Sequence, residues 1–427
     1  MLQVVFKSNG ILALIMTLSE ELSWRGFVNQ TTYKDVTVLD GEPIIFYWGV
    51  DPSADSMQIG NLAAAMLVKC FMKHGHQAVL LIGGATGMIG DPDGRSAERD
   101  LLSLDELTSN KKAITGQYRR IFAGQPFTVV DNFDWFKDMR YLEFLRDVGK
   151  HVPMRQMLAR DFVQSRLSEE GSGISYAEFS YVLIQAYDFL HLYRHHNVTL
   201  QLAGSDQWGN SIAGVELIRR VADGEAHVWT APLVVNKATG RKFGKTEAGA
   251  IWLDAGKTAP FDFYQFWLNA DDEGVADYIK IYTELDKPAV DDLLERFQAD
   301  RAGRIAQKTL AREATALVHG TATAENMEAV SHLVVSDSRP TDEEFRIIKE
   351  NLRLHAIQLD WSMAEILVAV GLAASRTEAR QFLDSGAIYV NNQRADKSLA
   401  SIRPDDVRQG VVLLRRGKNT VAVGQII

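Results

Sequence analysis

Two lysines lie three positions apart in a glycine-punctuated segment, a pattern that suits the binding of a polyphosphate. The segment reads Gly240-Arg241-Lys242-Phe243-Gly244-Lys245-Thr246-Glu247-Ala248-Gly249. A phosphate-binding P-loop has four residues between its two glycines and a helix after them. Here three residues separate the first two glycines, and the glycines that follow make a poor helix. We therefore predict a mobile loop in which Lys242 and Lys245, beside Thr246, carry ammonium groups to a polyphosphate.

The start of a long helix is a second place for phosphate. The sequence there reads Tyr47-Trp48-Gly49-Val50-Asp51, continues to Gln58-Ile59-Gly60-Asn61, and predicts a helix that reaches Lys73. The free backbone N–H groups at a helix start and the positive end of its dipole favour an anion. Gly60 would let a ligand come close to the backbone. A glycine needed only for packing the helix against the strand is the alternative.

A run of glycines directly after an apolar strand is a third candidate. It reads Gly83-Gly84-Ala85-Thr86-Gly87-Met88-Ile89-Gly90-Asp91-Pro92-Asp93-Gly94. So many glycines indicate unusual backbone angles or the close approach of a ligand. Asp91 is then a candidate acceptor for a substrate ammonium group, and Arg95 and Arg99 are candidates for binding phosphate. Ordinary surface arginines are the alternative for the last two.

A fourth candidate pairs one face of a helix with a polar segment after a strand. Tyr181, Gln185 and Asp188 are spaced i, i+4 and i+7, so on a helix they project from one side. A phenol, an amide and a carboxylate beside an apolar run are costly to bury without a polar ligand. The polar segment reads Gly204-Ser205-Asp206-Gln207-Trp208-Gly209-Asn210. We interpret the set as a binding site, with a hydrogen-bonded core network as the alternative.

The elements that must position these residues alternate between strand and helix. The clearest strands are Ile44 to Tyr47, Ala78 to Ile82, Phe127 to Val130 and Val198 to Leu202. Such alternation predicts an α/β fold with a parallel, helix-flanked sheet, and ligands bind beyond the carboxyl ends of parallel strands. From Phe261 to about Glu350 the pattern becomes helical and acidic, which indicates a second, all-helical unit.

The C-terminal part of the chain differs from the rest in charge. After about Ile357 the pattern predicts a helix pair from Met363 to Leu383, then strands near Ile388 to Asn391 and Val411 to Arg415. Residues 372–427 hold nine Lys and Arg against five Asp and Glu, whereas the whole chain has a formal charge of -9. A basic end on an acidic chain favours local RNA contact, and a solvated charged surface is the alternative. The candidate RNA contacts are Arg376, Arg380, Arg415, Arg416 and Lys418.

The composition excludes several classes of protein. The 427 residues suit two or three domains. A single cysteine, Cys70, excludes an internal disulfide, and no Cys/His cluster has the spacing of a zinc site. We therefore expect a cytoplasmic protein with no tightly bound metal. The apolar run Ile11 to Met16 is too short to span a membrane and no cleavage pattern follows it. We expect residues 1–15 to be a non-native or disordered extension, and we expect no membrane partner.

Taken together, the four stretches resemble the bacterial-type tyrosyl-tRNA synthetases, class I aminoacyl-tRNA synthetases with a HIGH-like and a KMSKS-like motif. The resemblance runs from about Leu22 to the C terminus and includes Phe179-Ser180-Tyr181 and Gln185-Ala186-Tyr187-Asp188-Phe189. The tail, with Ala379-Arg380-Gln381-Phe382-Leu383, resembles a small RNA-binding module shared with a ribosomal protein and pseudouridine synthases. The resemblance implies a Rossmann-like catalytic domain over 16–255, a helical domain over 256–350 and a small α+β RNA-binding domain over 357–427.

The resemblance also implies an activity: tyrosine is activated with ATP to tyrosyl-adenylate, then transferred to the 3′ end of tRNA(Tyr). It assigns the phenolic hydroxyl to Tyr47 and Asp188, the ammonium group to Asp91, Tyr181 and Gln185, and the carboxylate region to Gln207. The ATP-binding residues would be Gly49, Asp51, Gly60, Gly204 and Asp206. Around the phosphates would lie Gln58, Asn61, Lys242, Lys245 and Thr246, joined by Arg95 and Arg99 as pyrophosphate leaves. Mg²⁺ would enter as the counterion of ATP, and the family implies a homodimer.

The chain departs from the family pattern at two places. Gln58-Ile59-Gly60-Asn61 stands where the family has HIGH or a close variant, and Trp48 stands where a smaller residue is usual near the ribose. Glutamine and asparagine keep neutral N–H donors, so phosphate contacts can survive. The alternatives are an RNA-binding protein that has lost catalysis and an enzyme that activates tyrosine for another acceptor. Tryptophan is disfavoured because Tyr47 and Asp188 together suit a phenol.

Overall fold

The computed structural model describes residues 16–92, 102–158, 161–168, 171–246, 249–336, 338–417 and 420–427. They form two compact units. The first holds residues 16–253 and Asp271–Val290, and the second holds Asp254–Ala270 and Asp291–Ile427. The predicted extension over residues 1–15 lies outside the described residues, as do Arg95, Arg99 and Lys418.

Helices and strands alternate through the first half of the chain. In chain order the helices are α1 Leu18–Arg25, α2 Ile59–Lys73, α3 Thr86–Ile89, α4 Leu104–Ile121, α5 Phe133–Phe136, α6 Tyr141–Asp147, α7 Met154–Leu158, α8 Asp161–Leu167, α9 Tyr176–His196, α10 Trp208–Ala222, α11 Pro260–Leu268, α12 Val275–Tyr282, α13 Lys287–Ala299, α14 Ile305–His319, α15 Thr321–Val335, α16 Asp342–Asn351, α17 Met363–Ala369 and α18 Arg376–Asp384. The strands are β1 Gln30–Thr31, β2 Ile45–Val50, β3 Gln77–Ile82, β4 Phe127–Asp131, β5 Leu200–Gly204, β6 His227–Ala231, β7 Lys245–Thr246, β8 Gly249–Ala250, β9 Leu354–Ile357, β10 Ile388–Val390, β11 Gln393–Arg394, β12 Val411–Arg416 and β13 Thr420–Ile426.

The first unit is built on a six-stranded sheet in the order β1-β6-β5-β2-β3-β4. Strand β2 runs parallel to both β3 and β5, β4 is parallel to β3, and β6 is parallel to β5. Strand β1 adds an antiparallel edge. The predicted parallel sheet is confirmed. The chain leaves β2 toward β3 and β4 on one side and leaves β5 toward β6 on the other, so a crevice opens between β2 and β5 at their carboxyl ends.

Local sequence signals determine where the helices begin. In α1, Glu20 N–H donates to Thr17 Oγ1 while the Glu20 carboxylate accepts the Thr17 N–H, which is a capping box. Ser175 and Glu178 form the same box at the start of α9. Helix α9 ends at His196 and is followed by Asn197, whose φ of 53° is the left-handed conformation of a helix C-cap. These signals set the register of α9 and therefore which of its side chains face the sheet.

The second unit joins helices to a five-stranded sheet in the order β11-β10-β12-β13-β9. Strands β9 and β13 are parallel and the other pairs are antiparallel. Helices α17 and α18 bury Leu367 and Leu383 in one apolar core with Val412. The predicted C-terminal helix pair and strands are confirmed. The predicted helical stretch over 261–350 is observed as α11 to α16, although α12 lies in the first unit. The division at 255, 350 and 357 stays a prediction.

Within the second unit, the turn between β10 and β11 is buried. The Asn392 side-chain amide donates to the Leu333 carbonyl at 2.7 Å and to Ser336 Oγ at 3.1 Å, so it satisfies a carbonyl at the end of α15. Arg339 also donates to the Asp405 carbonyl. The C-terminal sheet is therefore fastened to α15 and the segment after it.

Among the described helices, none is long and apolar enough to cross a membrane.

Candidate functional site

A cavity of about 420 Å³ opens at the carboxyl edge of the first sheet, in the crevice between β2 and β5. Its wall contains most of the described residues that the sequence singled out. They are Tyr47, Gly49, Asp51, Gln58, Gly60, Asn61, Asp91, Tyr181, Gln185, Asp188, Gly204, Asp206, Gln207 and Lys242. Four separate stretches of the chain therefore meet at one site. The side chains of Lys245 and Thr246 lie outside what the structure describes, and no placement follows for them.

Asp188 and Tyr47 face the buried end of the cavity. Asp188 Oδ1 accepts the Trp135 indole N–H at 2.9 Å, and Oδ2 accepts an N–H of the Asn132 side chain at 3.0 Å. Burial raises the pKa of Asp188 to about 8 even though these two hydrogen bonds lower it. Burial, and then the charge of Asp188, raise the pKa of Tyr47 well above its usual value. A neutral phenol thus lies beside a held carboxyl group.

Asp51 connects the glycine-rich run with α9. Its Oδ2 accepts the Tyr181 hydroxyl at 2.7 Å, and its Oδ1 accepts the Thr86 hydroxyl at 2.6 Å. A Cβ on Gly83 would lie 2.1 Å from Asp51 Oδ1, so glycine is required for this carboxylate to come so close. One glycine of the run therefore makes room for a carboxylate of the protein itself. Burial and the neighbouring Asp51 raise the pKa of Tyr181 well above its usual value.

Asp91 and Gln207 meet across the cavity wall. An N–H of the Gln207 side chain donates to Asp91 Oδ2 at 2.6 Å, and the Gln207 side-chain oxygen accepts from Asn210 at 3.0 Å. Burial raises the pKa of nearby Asp206, whereas Lys242 lowers it. Carboxyl groups thus line the cavity, and Lys242 brings a positive charge near Asp206.

Three buried polar atoms in this wall have no hydrogen-bond partner among the described residues. They are the Tyr47 hydroxyl and the side-chain oxygens of Gln185 and Gln201. An unsatisfied buried polar group costs about 1–3 kcal/mol. Three such groups around one cavity indicate a polar ligand that supplies the missing donors and acceptors.

The start of α2 forms another part of the cavity wall. Gln58 is the N-cap, and its backbone N–H donates to Asn61 Oδ1 at 3.0 Å. The Asn61 oxygen therefore caps the helix, while its NH₂ group is left as the donor. The segment Ile251–Trp252 holds the start of α2 in place, because Ile59 N–H donates to the Ile251 carbonyl and Gln58 pairs with Trp252.

The lysine loop lies against the same helix start. A Cβ on Gly244 would come 3.1 Å from Ile59 Cβ, and Ile251 N–H donates to the Gly244 carbonyl at 3.0 Å. Lys245–Thr246 of the loop form β7, which pairs with β8. The next described helix begins only at Pro260, so the prediction that no helix directly follows the loop is confirmed for the described residues. A smaller apolar cavity of about 90 Å³ adjoins, lined by Leu233, Phe243 and neighbouring residues.

The sequence departure at Trp48 is accommodated by the core. Trp48 is 4% exposed, and its ring centroid lies 5.5 Å from that of Tyr118 and 6.4 Å from that of Phe122. Most of the indole is thus housed among aromatic rings of α4 and the residue after it, at the edge of the cavity.

The predicted RNA contacts in the tail differ in exposure. Arg376 and Arg380 lie one turn apart on α18 and are exposed, although Arg376 pairs with Glu365 at 2.9 Å. Arg415 is 6% exposed, with its guanidinium 3.9 Å from the Tyr389 ring centroid. Arg416 is half-buried over Phe382 and donates to the Leu372 carbonyl. Arg415 therefore offers little surface to RNA phosphate, and its role as an RNA contact stays a prediction.

Four wall or support residues escaped the sequence reasoning. Asn132 and Trp135 hold Asp188, Thr86 holds Asp51, and Gln201 lines the cavity from β5. Asn132 follows directly after β4, and a polar residue after a parallel strand is the signal that could have identified it. Trp135 carries no such signal, because its role depends on the path of α5.

Comparisons with known proteins agree along the chain. Residues 39–336 match the family model described as tRNA synthetases class I (W and Y), and residues 344–423 match that of a tyrosine–tRNA ligase SYY-like C-terminal domain. The chain is 41% identical over 411 residues to a tyrosine–tRNA ligase of Limosilactobacillus reuteri, covering 94% of this chain and 98% of the relative. A tyrosine–tRNA ligase of Geobacillus kaustophilus is 41% identical over 418 residues, with the same two coverages.

A solved structure is also similar. The C-terminally truncated mitochondrial tyrosyl-tRNA synthetase of Aspergillus nidulans superposes with a TM-score of 0.66 at 29% identity. The match covers 73% of this chain and 92% of that chain.

Proposed function

The chain belongs to the class I tRNA synthetases for tryptophan and tyrosine, within the tyrosine–tRNA ligases, and we propose that it forms tyrosyl-adenylate from tyrosine and ATP and then charges tRNA(Tyr). The observation that carries this proposal is the pair Tyr47 and Asp188. Both are buried in the cavity wall, the Tyr47 hydroxyl has no partner among the described residues, and both Asp188 oxygens are held. Such a pair suits a substrate phenol, which accepts one hydrogen bond and donates another.

The tyrosine ammonium group is assigned to Asp91, Tyr181 and Gln185. The unsatisfied Gln185 oxygen supports this, since an ammonium group supplies three donors and no acceptor. Gln207 already donates to Asp91, so it ties the ammonium region to the carboxylate region of the substrate.

ATP is assigned to the open end of the cavity. Asp206 and the Gly204 backbone would hold the ribose, with Gly49, Asp51 and Gly60 in the same binding surface, and the adjoining apolar cavity beside Leu233 suits the adenine ring. Mg²⁺ would arrive with ATP as the counterion of its phosphates.

Adenylate formation needs no protein nucleophile. The tyrosine carboxylate attacks the α-phosphorus, the bond from that phosphorus to the bridging oxygen breaks, and pyrophosphate leaves. Catalysis then comes from positioning and from donors aimed at developing phosphate charge. We assign that task to Gln58, Asn61 and Lys242, with Lys245 and Thr246 as expected partners. Arg95 and Arg99 keep the same expected role during pyrophosphate departure.

In the second step a ribose hydroxyl of the tRNA 3′ adenosine attacks the activated carbonyl, the bond from that carbon to the phosphate oxygen breaks, and AMP leaves. RNA binding by the tail is assigned to Arg376 and Arg380, with Arg416 and Lys418 as further candidates. Exposed arginines one helical turn apart present two guanidinium groups to a phosphate backbone, which supports the assignment.

We further propose a homodimer that works in the cytoplasm. Large apolar side chains between α5 and the start of α9 are exposed, an arrangement more typical of an interface than of free surface. They are Phe133, Tyr141, Leu142, Met154, Leu158, Leu167 and Tyr176. Sedimentation of the wild type and of Leu142→Glu tests this: a dimer that the variant weakens is expected, and a monomeric wild type would refute it.

Amino-acid-dependent exchange of pyrophosphate into ATP tests the activation step. Exchange with tyrosine, and far less with phenylalanine or tryptophan, is expected. Exchange that is absent with tyrosine would overturn the proposed function.

A further inference from the structure

The lysine loop is anchored by an aromatic side chain inside its own motif. Phe243 is buried next to the exposed Lys242, and its ring centroid lies 4.2 Å from that of Tyr278 and 5.8 Å from that of Tyr282. Both tyrosines belong to α12, which lies in the first unit together with the loop. The residue beside Lys242 is therefore packed onto a helix that lies behind the loop and outside the wall of the large cavity.

Residues 234–243 form a hairpin that leads into the loop, with Val235 paired to Lys242. A hydrogen-bonded clamp holds α12 to this hairpin. The Tyr278 hydroxyl donates to Asp271 Oδ2 at 3.0 Å and accepts the Lys237 backbone N–H at 3.2 Å. The same Asp271 oxygen accepts from the Asn236 side chain at 3.1 Å, while Oδ1 accepts the Gly274 N–H at 2.6 Å. Asp271 thus joins the hairpin, the start of α12 and Tyr278 in one network.

The backbone between the clamp and Lys242 is itself ordered by short-range bonds. Asn236 N–H donates to the Arg241 carbonyl at 2.9 Å, and Phe243 N–H donates to the Val234 carbonyl at 2.9 Å. Gly240, at the turn, has a φ of 68°, a left-handed conformation that glycine adopts without strain. A displacement of Asn236 or Phe243 would therefore be passed on to Lys242.

The side chain of Tyr278 is also closely packed against the start of α12. A Cβ on Gly274 would lie 2.3 Å from the Tyr278 hydroxyl oxygen, so the tyrosine side chain crosses the start of α12 where only glycine leaves room. Tyr278 is 1% exposed. One orientation of this ring is thus compatible with both Phe243 and Asp271.

We infer that Asp271 and Tyr278 are positioning residues that set the place of Lys242 for the phosphate chemistry through Asn236 and Phe243. The inference rests on the proposed function and deepens it. The clamp fixes the loop through α12, whose residues do not line the large cavity, so Lys242 meets the phosphates of ATP without an ordering cost at that moment. Tyrosine, assigned to Tyr47 and Asp188, should be insensitive to it.

The test uses the full chain and compares Tyr278→Phe with Asp277→Asn. The first variant keeps the ring on Phe243 and removes the hydroxyl from the clamp. The second removes an ion pair, Lys237 to Asp277, between the same hairpin and the same helix. That pair is about half exposed on both sides and therefore contributes little. We expect Tyr278→Phe to slow single-turnover adenylate formation roughly 10-fold or more by misplacing a phosphate contact, with tyrosine affinity within about two-fold, and Asp277→Asn to match the wild type.

Two results would overturn the inference: adenylate formation by Tyr278→Phe at the wild-type rate, or an equal loss in rate and in tyrosine affinity, which would indicate general damage. A second measurement does not need activity. Amide hydrogen exchange over residues 234–244 should be faster in Tyr278→Phe than in Asp277→Asn, and equal exchange would contradict the clamp. If the wild type does not exchange pyrophosphate into ATP, the proposed function is rejected. Amide hydrogen exchange would still test the clamp in that case.

Discussion

The indole N–H of Trp135 donates to Oδ1 of Asp188 at 2.9 Å. This hydrogen bond fixes one oxygen of a carboxyl group that lines the cavity. Asn132 fixes the other oxygen at 3.0 Å. The carboxyl group therefore has one orientation, beside Tyr47. We therefore expect this geometry to select a phenol over a phenyl ring, because a ligand without a hydroxyl leaves the Tyr47 hydroxyl unpaired.

Asp188→Ala should reduce the preference for tyrosine over phenylalanine. An unmet buried hydrogen bond is worth about 1–3 kcal/mol, so discrimination should fall roughly 10- to 100-fold. Pyrophosphate exchange with each amino acid measures it. Asp147→Ala, which removes an exposed carboxylate on α6, is the control and should leave the ratio unchanged. Undiminished discrimination in Asp188→Ala would remove Asp188 from this role.

The raised pKa of Asp188 predicts a pH dependence of stability. Burial lifts the pKa to about 8 in the folded ligand-free protein, above the ordinary value of 3.8. The folded state then binds more protons than the unfolded state between those values. The stabilising contribution is complete below pH 3.8 and is lost as pH rises through 8, at up to about 1.4 kcal/mol per pH unit. Thermal unfolding of Asp188→Asn should depend less on pH from about 6 to 8 than that of the wild type; parallel profiles would contradict this.

Gln58 and Asn61 are expected to serve catalysis despite the absence of histidine. Gln58→Ala should slow single-turnover adenylate formation by roughly 10²-fold while tyrosine affinity barely changes, by analogy with the loss of one oxyanion-hole donor. Gln58→His should hold or raise the rate. Asn61→Ala should slow it similarly and also lower stability by about 1 kcal/mol, because Asn61 caps α2.

Replacement of each side chain by alanine decides between catalysis and a structural remnant. If Gln58→Ala and Asn61→Ala form adenylate as fast as the parent, the segment keeps only its capping function, and the hypothesis of an RNA-binding protein without catalysis gains support.

The exposed arginines of α18 should act in charging and not in activation. The double variant Arg376→Ala, Arg380→Ala should leave pyrophosphate exchange unchanged and weaken binding of tRNA. The slope of log affinity against log salt should fall by roughly 0.7–0.9 for each RNA phosphate that the variant no longer neutralises. Arg346→Ala, which removes an exposed arginine of α16, is the matched control. Charging as efficient as that of the wild type would show that these two residues have another purpose.

The α/β order, the parallel sheet and most of the cavity wall could be predicted from the sequence. The spacing of Tyr181, Gln185 and Asp188 was enough to predict that they line one site, since helical periodicity puts i, i+4 and i+7 on one face. Asn132 and Trp135 could not be found in this way, because their partner Asp188 is more than fifty residues away and the bond exists only after β4 and α9 have packed. Arg415 shows the converse: charge predicted an RNA contact, whereas stacking on Tyr389 buries the side chain.

Transfer of tyrosine to tRNA(Tyr) by the wild-type chain is the decisive measurement for the proposed function. Radiolabelled tyrosine, ATP and tRNA(Tyr) are mixed with the enzyme, and the label in precipitated RNA is counted. We expect ATP-dependent incorporation that approaches one tyrosine per tRNA, with little label from phenylalanine or tryptophan. A chain that binds the tRNA and fails to charge it, with tyrosine and ATP both present, would contradict the proposed function.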